Sequence, residues 1–143
     1  MTCRSFKRKT AAEFVAHMQE HFQKRDVTLL AIRRRVDDMC LGRLTLLDLN
    51  ESNRTIEIGY MIGPPFRRQG YALEAVNLSL AFLFNSLKLN RVIAQTGSFN
   101  HSSIALLDSL GFQQEGRLRL HHKFNGVLRD DLLFGLLASE YNR

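Results

Sequence analysis

The sequence has little of what would direct a chain into a membrane or a secretory pathway. Its apolar runs fall well short of the roughly 20 residues that span a bilayer. Residues 1–9 are basic but lack the apolar stretch of a secretory signal. Only two cysteines occur, Cys3 and Cys40, and they form no CxxC pair. We therefore expect reduced thiols in a cytoplasmic protein.

Two familiar phosphate-binding motifs are also missing. There is no GxxxxGK[ST] and no GxGxxG, which argues against a P-loop and against a Rossmann dinucleotide site. Basic residues are not interleaved with aromatic ones in the way that stacks single-stranded bases. The net charge of +6 favours an anionic partner, but a nucleic acid, an acidic protein and a phosphorylated cofactor would all satisfy it.

What is present indicates one globular α+β (α/β) domain covering residues 1–143. With 45% apolar and 24% charged residues, this length can bury a core of its own. A capping box, Thr10 with Glu13, opens a helix that continues to about Lys24. The later elements are three strands joined as an antiparallel meander (27–32, 40–49, 55–62), a largely buried helix from Gly70, a strand (92–96), a helix (100–110) and a hairpin (112–123 and 127–137) around Asn125-Gly126.

The third strand has two unlike faces. Ile56, Ile58, Tyr60 and Ile62 alternate onto one face, which we assign to the core. The opposite face is small and polar and carries one carboxylate, Glu57. A buried carboxylate in mid-sheet costs several kcal/mol, so we expect that face to border a cleft.

Residues 67–72 carry the strongest functional signal, because a basic loop with one glycine leads from a strand directly into a helix. Backbone N–H groups at a helix N-terminus, with about half a positive charge, bind phosphate. A residue without Cβ lets the backbone approach the ligand, and a small residue fits where the helix begins. Gly70 and Ala72 suit these two places, and Arg67 and Arg68 add charge. From these six residues alone, an ordinary basic surface loop explains the pattern equally well.

The loop resembles a known family when it is taken together with two later segments. Arg67-x-x-Gly70-x-Ala72 resembles the acyl-CoA pyrophosphate loop of the GNAT N-acetyltransferases. The segment from Asn100 to Gly116 is similar to that superfamily's N-x-x-S/A, LGF and EG motifs. Four further features resemble the RimJ/RimL-like branch of that superfamily. They are the Glu57-Ile-Gly-Tyr60 strand, one of Asp130 and Asp131, Gly135-Leu-Leu, and Glu140-Tyr141.

The resemblance implies a mixed, mostly antiparallel sheet, flanked by helices and split between its two central strands. Acetyl-CoA would lie in the split as acyl donor, with its pantetheine against the backbone of Met61 and Ile62. Asn100 and Ser103 would line the thioester side. The pyrophosphate would bind the loop, in which we include Arg67, Arg68, Gln69, Gly70, Tyr71 and Ala72.

The chemistry that the resemblance implies is direct attack of an amine on the acetyl carbonyl, without a metal. It requires a proton acceptor for the amine and a donor for the departing thiolate. Glu57 is the candidate base, acting through water, with a pKa raised toward neutrality by partial burial; the alternative is a structural glutamate paired with an arginine. Ser103 is the candidate acid, and its alternative is simple helix capping. Some relatives use a tyrosine as the acid, and we identify none at a matching position.

Two histidine pairs have simpler explanations than metal binding. His17 and His21 match the HxxEH zinc motif, but the motif lacks a third ligand and an enclosing cleft, so we expect a solvated helix face. His121 and His122 are consecutive in a strand and should point to opposite faces, where they cannot chelate together.

The acceptor half is less clear than the donor half. Relatives usually begin with a further strand and helix before the helix that starts at Thr10, and we expect this chain to lack them. Either the acceptor site is therefore unusually open, or a partner subunit such as a homodimer mate completes it, or the chain is shortened. The leading hypothesis is acetyl transfer to a protein N-terminus or a small amine; the alternatives are a catalytically silent acyl-CoA-binding module and a basic RNA-associated protein. We find no sequence feature that requires a membrane or a nucleic acid.

Overall fold

The computed structural model describes Ala12, Glu13, Ala16, Glu20 and residues 27–141. The first four are helical and exposed, in agreement with the helix expected there. The remainder of that prediction, including the Thr10 cap and the His17–His21 motif, lies outside the described residues.

Three strands form the predicted antiparallel meander, β1 (Thr28–Arg33), β2 (Cys40–Asn50) and β3 (Thr55–Ile62). The connections are short enough to force antiparallel pairing. In the second one the Asn50 side chain accepts a hydrogen bond from the Asn53 backbone N–H at 2.9 Å, a common way for asparagine to fix a turn.

The second half of the chain alternates helices and strands. Asn125 and Gly126 have φ values of 50° and 76°, which confirms the turn expected for Asn-Gly in a two-residue hairpin. The elements are α1 (Tyr71–Ala81), a π-helical turn (Phe82–Ser86), β4 (Arg91–Gly97), α2 (His101–Ser109), β5 (Gln113–Phe124) and β6 (Val127–Leu137).

The described strands make one six-stranded mixed sheet in the order β1-β2-β3-β4-β6-β5. All neighbours are antiparallel except β3 and β4, which run parallel. That parallel pairing covers only three positions and ends at Glu57 opposite Ile93. Beyond this pair β3 stays with β2 and β4 stays with β6. We call this divergence the fork, and it is the split expected from the family resemblance.

The core lies on the face of the sheet that α1 and α2 cover. Ile56 and Ile58 are 0% and 1% exposed, so the predicted core face of β3 is confirmed. They pack with buried residues of both helices in one cluster, including Val76, Leu80 and Leu107. The expectation of a largely buried helix from Gly70 needs correction at two places. Leu73 is 42% exposed and lines a groove, and the segment from Phe82 to Ser86 is π-helical.

The expectation of reduced cysteines is wrong at Cys40, which is disulfide-bonded. Separation along a sequence does not fix separation in space, and a disulfide needs only that two Cα atoms lie within about 7 Å. Cys3 lies outside the described residues. The cysteine pattern therefore no longer supports a reducing, cytoplasmic location. No helix in the described part of the chain is long and apolar enough to cross a bilayer.

Candidate active site

A groove of about 910 Å³ lies at the open end of the fork, which is within the usual range for small-molecule sites. Its walls are the end of β3, the loop that precedes α1, the first turn of α1, the start of α2, and Phe124 of the hairpin. The predicted site residues that line it are Met61, Ile62, Arg67, Arg68, Gly70, Tyr71, Ala72, Asn100 and Ser103. Gln69 and Glu57 do not line it.

The loop before α1 presents backbone N–H groups to this groove. Gly70 is the N-cap of α1 with φ at +80°, and no side chain caps the helix. Among the described residues, no backbone hydrogen bond of a turn, loop or cap uses the N–H groups of residues 68–73. Arg68 also has a positive φ, of 61°, and a left-handed turn directly before a helix N-terminus is a common place for an anion to bind. A Cβ built at Gly70 would meet nothing within 4 Å, which leaves room for a phosphate group.

Arg67 has a structural contact that charge alone did not suggest. Its Nε donates to the Ile62 carbonyl at 3.0 Å, which ties the loop to the last residue of β3. Gln69 points away, and its side-chain amide is 3.5 Å from the Pro65 carbonyl. Arg67 is therefore occupied with the strand, and Arg68 is the other cation of the loop that lines the groove.

The backbone direction of β3 decides which residues face the fork. The Met61 carbonyl points at β2, where a Cβ on Gly42 would clash with it; glycine is required there. Because alternate residues of a strand direct their N–H and C=O groups to opposite edges, Tyr60 and Ile62 present theirs to the fork. Met61 contributes its side chain, which is 39% exposed.

Ser103 is held in the first turn of α2 with its hydroxyl free of capping. Asn100 is the N-cap, and its Oδ1 accepts from the Ser103 backbone N–H at 3.2 Å. The Ser103 Oγ instead lies 2.6 Å from the Tyr60 hydroxyl. Ser103 is 8% exposed and lines the groove. The alternative that Ser103 only caps the helix is therefore excluded, because Asn100 is the N-cap.

Tyr60 is a site residue that sequence reasoning missed. Tyr60 lies on β3. Because it shares one face of that strand with Ile58 and Ile62, the sequence indicated only a core residue. The available signal was its position, near the end of a strand that borders the fork. Burial raises the pKa of the Tyr60 phenol, and the hydrogen bond with Ser103 offsets part of that rise. The phenol therefore stays protonated at neutral pH.

Glu57 lies at the vertex of the fork, on the face opposite Tyr60. Burial, followed by the nearby Asp48 carboxylate, raises the pKa of the Glu57 carboxyl, as expected for a partly desolvated acid. Within the described part of the chain no ion pair to Glu57 is formed, so the arginine-paired alternative finds no support. The groove begins at Tyr60, three residues or about 10 Å further along β3.

His121 and His122 do not point to opposite faces, so that expectation is wrong. A bulge in β5 between Leu118 and His122, with Leu120 at a φ of 48°, breaks the alternation. Both Nδ1 atoms approach the Asp131 carboxylate, at 3.0 Å for His121 and 3.6 Å for His122. Asp131 is 5% exposed and also accepts from the Gln95 side chain at 2.8 Å.

The charge on Asp131 follows from two opposed effects. Burial raises the pKa of its carboxyl, but the hydrogen bonds from Gln95 and His121 outweigh burial and lower the pKa below its usual value. The group is therefore ionised, and an ionised carboxylate only accepts hydrogen bonds. It follows that the His121 Nδ1 carries the proton in that contact.

Comparison with known proteins agrees with the resemblance of the loop and the later motifs. The model of the acetyltransferase (GNAT) domain matches residues 2–113, most of the chain. The chain therefore belongs to the GNAT acetyltransferase family, in its RimJ/RimL-like branch.

The alignments with individual relatives cover a larger share of this chain than of the relatives. It is 40% identical over 104 residues to the uncharacterized N-acetyltransferase p20 of Bacillus licheniformis, which is 73% of this chain and 58% of p20. It is 32% identical over 105 residues to YdaF of Bacillus subtilis, a putative ribosomal N-acetyltransferase, with 73% and 57% covered. The chain thus spans a little over half the length of these two proteins.

The fold matches solved structures of the same superfamily. A dodecameric spermidine N-acetyltransferase from Vibrio cholerae superposes with a TM-score of 0.79 at 22% identity, covering 92% of this chain and 77% of that one. At this identity the match shows the fold alone. It confirms the expected GNAT-like sheet with a split between its central strands.

Proposed function

We propose that residues 1–143 form a single acyl-CoA N-acyltransferase domain that transfers acetyl from acetyl-CoA to a primary amine. One observation supports this most strongly. One groove at the fork is lined both by the loop residues whose N–H groups make no turn or cap hydrogen bond and by Ser103. A phosphate site and a proton donor joined by a groove suit a long donor such as acetyl-CoA, which GNAT acetyltransferases use.

The donor is held as a substrate by the loop and by β3. The pyrophosphate binds the N–H groups of residues 68–72, with Arg68 as the nearest cation and the α1 N-terminus adding its partial positive charge. The pantetheine follows the end of β3 beside Met61 and Ile62, where Tyr60 and Ile62 turn their backbone groups to the fork. Asn100 shapes the thioester end by fixing the first turn of α2.

Proton transfer is divided between the two faces of the sheet. The amine approaches from the side of Glu57 and attacks the thioester carbonyl as the neutral base. Its proton passes through water to Glu57, whose raised pKa suits an acceptor near neutral pH. The C–S bond breaks, and Ser103 donates a proton to the departing sulfur. No residue in this scheme requires a metal, and in the described residues no group of three or more His, Cys, Asp or Glu side chains is arranged to hold a metal ion.

The acceptor is a protein N-terminus or a small amine. The names of YdaF and of the Vibrio cholerae enzyme point to a ribosomal and a polyamine acceptor for those proteins, and either class remains within this proposal. A second copy of the chain that completes the acceptor wall is also part of it, and size-exclusion chromatography with light scattering would test that part.

Calorimetry with acetyl-CoA tests the donor half. We expect saturable binding, and no binding at high micromolar ligand would overturn both the enzyme and the silent acyl-CoA-binding module. Thiol release with a panel of peptides and amines then separates these two. Release that depends on an amine supports the enzyme, whereas binding without release under any amine supports the silent module.

A further inference from the structure

The cluster formed by Asp131, His121 and His122 has no place in the scheme above. Asp131 is buried, and its Oδ2 accepts from both Gln95 and His121. Its Oδ1 is buried without a hydrogen-bond partner, although His122 lies 3.6 Å away. A buried carboxylate oxygen left without a partner is costly, so a cluster of this kind needs an explanation.

The backbone is distorted to build this cluster. In regular β-structure two consecutive histidines face opposite sides, but here a bulge with a positive φ at Leu120 turns both toward one carboxylate. Asp130 maintains the bulge, since its Oδ1 accepts from the Leu120 backbone N–H at 2.9 Å and its other oxygen binds Arg117. A non-glycine residue in the left-handed region costs on the order of 1 kcal/mol, and such strain is concentrated at functional sites.

The cluster has the chemistry to accept hydrogen bonds from an amine. With Nδ1–H directed at a carboxylate, an imidazole has its Nε2 lone pair free to accept a hydrogen bond. Both side chains are about half exposed, at 52% and 48%, so they can be reached from solvent. An amine or ammonium group offers N–H donors. The negative charge of ionised Asp131, which lies behind the rings, favours a positively charged ligand.

The register of the sheet brings the cluster level with the groove. The last pair of the fork is Glu57 with Ile93. Four residues further out, the two arms reach Met61 and Gly97, and Gly97 pairs with Asp131. Asp131 therefore lies on β6, beside the β4 arm and level with Met61 on the other arm, and the two histidines lie on β5, the next strand out.

A direct contact also links the cluster to the groove wall. The His122 ring meets Phe99 edge-on with 5.5 Å between ring centroids, and Phe99 stacks on Phe124 at 4.1 Å. Both phenylalanines line the groove. On the sheet, Arg129 is the register partner of His122 and is the charged neighbour on the same face.

We propose that His121 and His122, oriented by Asp131, bind the acceptor amine through their Nε2 atoms on the arm of the fork opposite Met61. This inference rests on the proposed acetyl transfer and adds the acceptor-binding residues to it. Asp131 is a positioning residue, and the two imidazoles are the groups that touch the amine.

The kinetic test uses His121→Ala, His122→Ala and Asp131→Asn in the full chain, with His101→Ala as the matched control. His101 is exposed and does not line the groove. Loss of one hydrogen bond of ordinary strength corresponds to about a tenfold change. We expect the amine KM to rise about tenfold in each cluster variant, with the Kd for acetyl-CoA unchanged, and no change in the control. An amine KM within twofold of the wild type in both histidine variants overturns the proposal, whether or not Asp131→Asn folds.

A second measurement does not depend on turnover. The imidazole nitrogens are followed by NMR in the CoA complex while alaninamide is added as a mimic of a peptide N-terminus. We expect the Nε2 shifts of His121 and His122 to move and those of His101 to stay. Equal movement at all three histidines, or none at the cluster, overturns the proposal. If alaninamide moves the cluster but no amine is acetylated, the proposed function fails and the amine site stands.

Discussion

The hydroxyl groups of Tyr60 and Ser103 lie 2.6 Å apart across the groove, one on a strand and the other on a helix. A phenol is the stronger hydrogen-bond donor of the two, and the raised pKa keeps it protonated. Either hydroxyl can donate in this contact. For Ser103 to act as the proposed acid, Tyr60 must donate to the Ser103 Oγ, which leaves the serine proton for the departing sulfur. In the proposed scheme Tyr60 thus supports Ser103 as the acid, whereas some relatives use a tyrosine itself.

We expect Tyr60→Phe to lower kcat about tenfold while the Kd for acetyl-CoA stays the same. The reason is that the variant removes one hydrogen bond of ordinary strength to the acid and leaves the aromatic ring in place. Ser103→Ala should cost more, about a hundredfold, since general acid catalysis typically contributes at least that much. Steady-state kinetics and calorimetry measure the two quantities.

The double variant tests whether the two hydroxyl groups act as a unit. If Tyr60 works through Ser103, then Tyr60→Phe combined with Ser103→Ala is no slower than Ser103→Ala alone. Independent, multiplicative losses would contradict this. Tyr141→Phe is the control, because Tyr141 packs on Phe84 and does not line the groove.

Much of the fold could be predicted because its signals are local. Alternation in β3 and the Asn125-Gly126 turn each depend on a few adjacent residues, and each was found where expected. The fork was accessible only through the family resemblance. Nothing in the residues around Glu57 or Ile93 states that their parallel pairing ends there.

The parts of the site that were missed depend on distant contacts or on broken regularity. Tyr60 and Ser103 are 43 positions apart, and strand alternation alone assigned Tyr60 to the core. The same rule of alternation predicted that His121 and His122 point to opposite faces of the sheet, but the rule fails at the Leu120 bulge. Leu120 is a residue type that rarely adopts a positive φ, so the sequence contains no warning of the bulge.

Packing of α1 on the sheet predicts a large difference between two leucines of the same helix. Leu80 is 0% exposed and Leu78 is 64% exposed. We expect Leu80→Ala to lower the free energy of unfolding by about 3 kcal/mol through lost burial and a cavity. Leu78→Ala should change it by less than about 0.5 kcal/mol. Urea unfolding measures both, and equal losses would mean that α1 does not pack as described.

Gly70 and Gly126 form a matched pair for testing the phosphate loop. Both have a positive φ, of 80° and 76°, and a Cβ at either would meet nothing within 4 Å. Valine should therefore strain the backbone similarly at both positions, by about 1–2 kcal/mol. Only Gly70→Val should weaken acetyl-CoA binding, because only Gly70 lies in the groove. Calorimetry on both variants decides, and intact affinity in Gly70→Val would put the pyrophosphate elsewhere.

Ionised Glu57 should lower the stability of the folded protein at the pH at which it can act as a base. Its pKa is raised in the folded protein, chiefly by burial and then by Asp48. The folded state therefore binds this proton more tightly than the unfolded state, and stability falls as pH rises from the unfolded pKa, about 4.3, through the folded one. We expect Glu57→Gln to have a higher Tm than the wild type at pH 8, with the difference disappearing at about pH 4.

The same variant should lose activity, which separates a functional acid from a structural one. We expect kcat to fall about a hundredfold in Glu57→Gln at pH 8, as for removal of a general base, with acetyl-CoA affinity retained because Glu57 does not line the groove. Glu51→Gln, an exposed carboxylate in the β2–β3 turn, should alter neither Tm nor kcat. If Glu57→Gln were as active as the wild type, the proton would leave by another route, and His121 and His122 would be the groups to examine next.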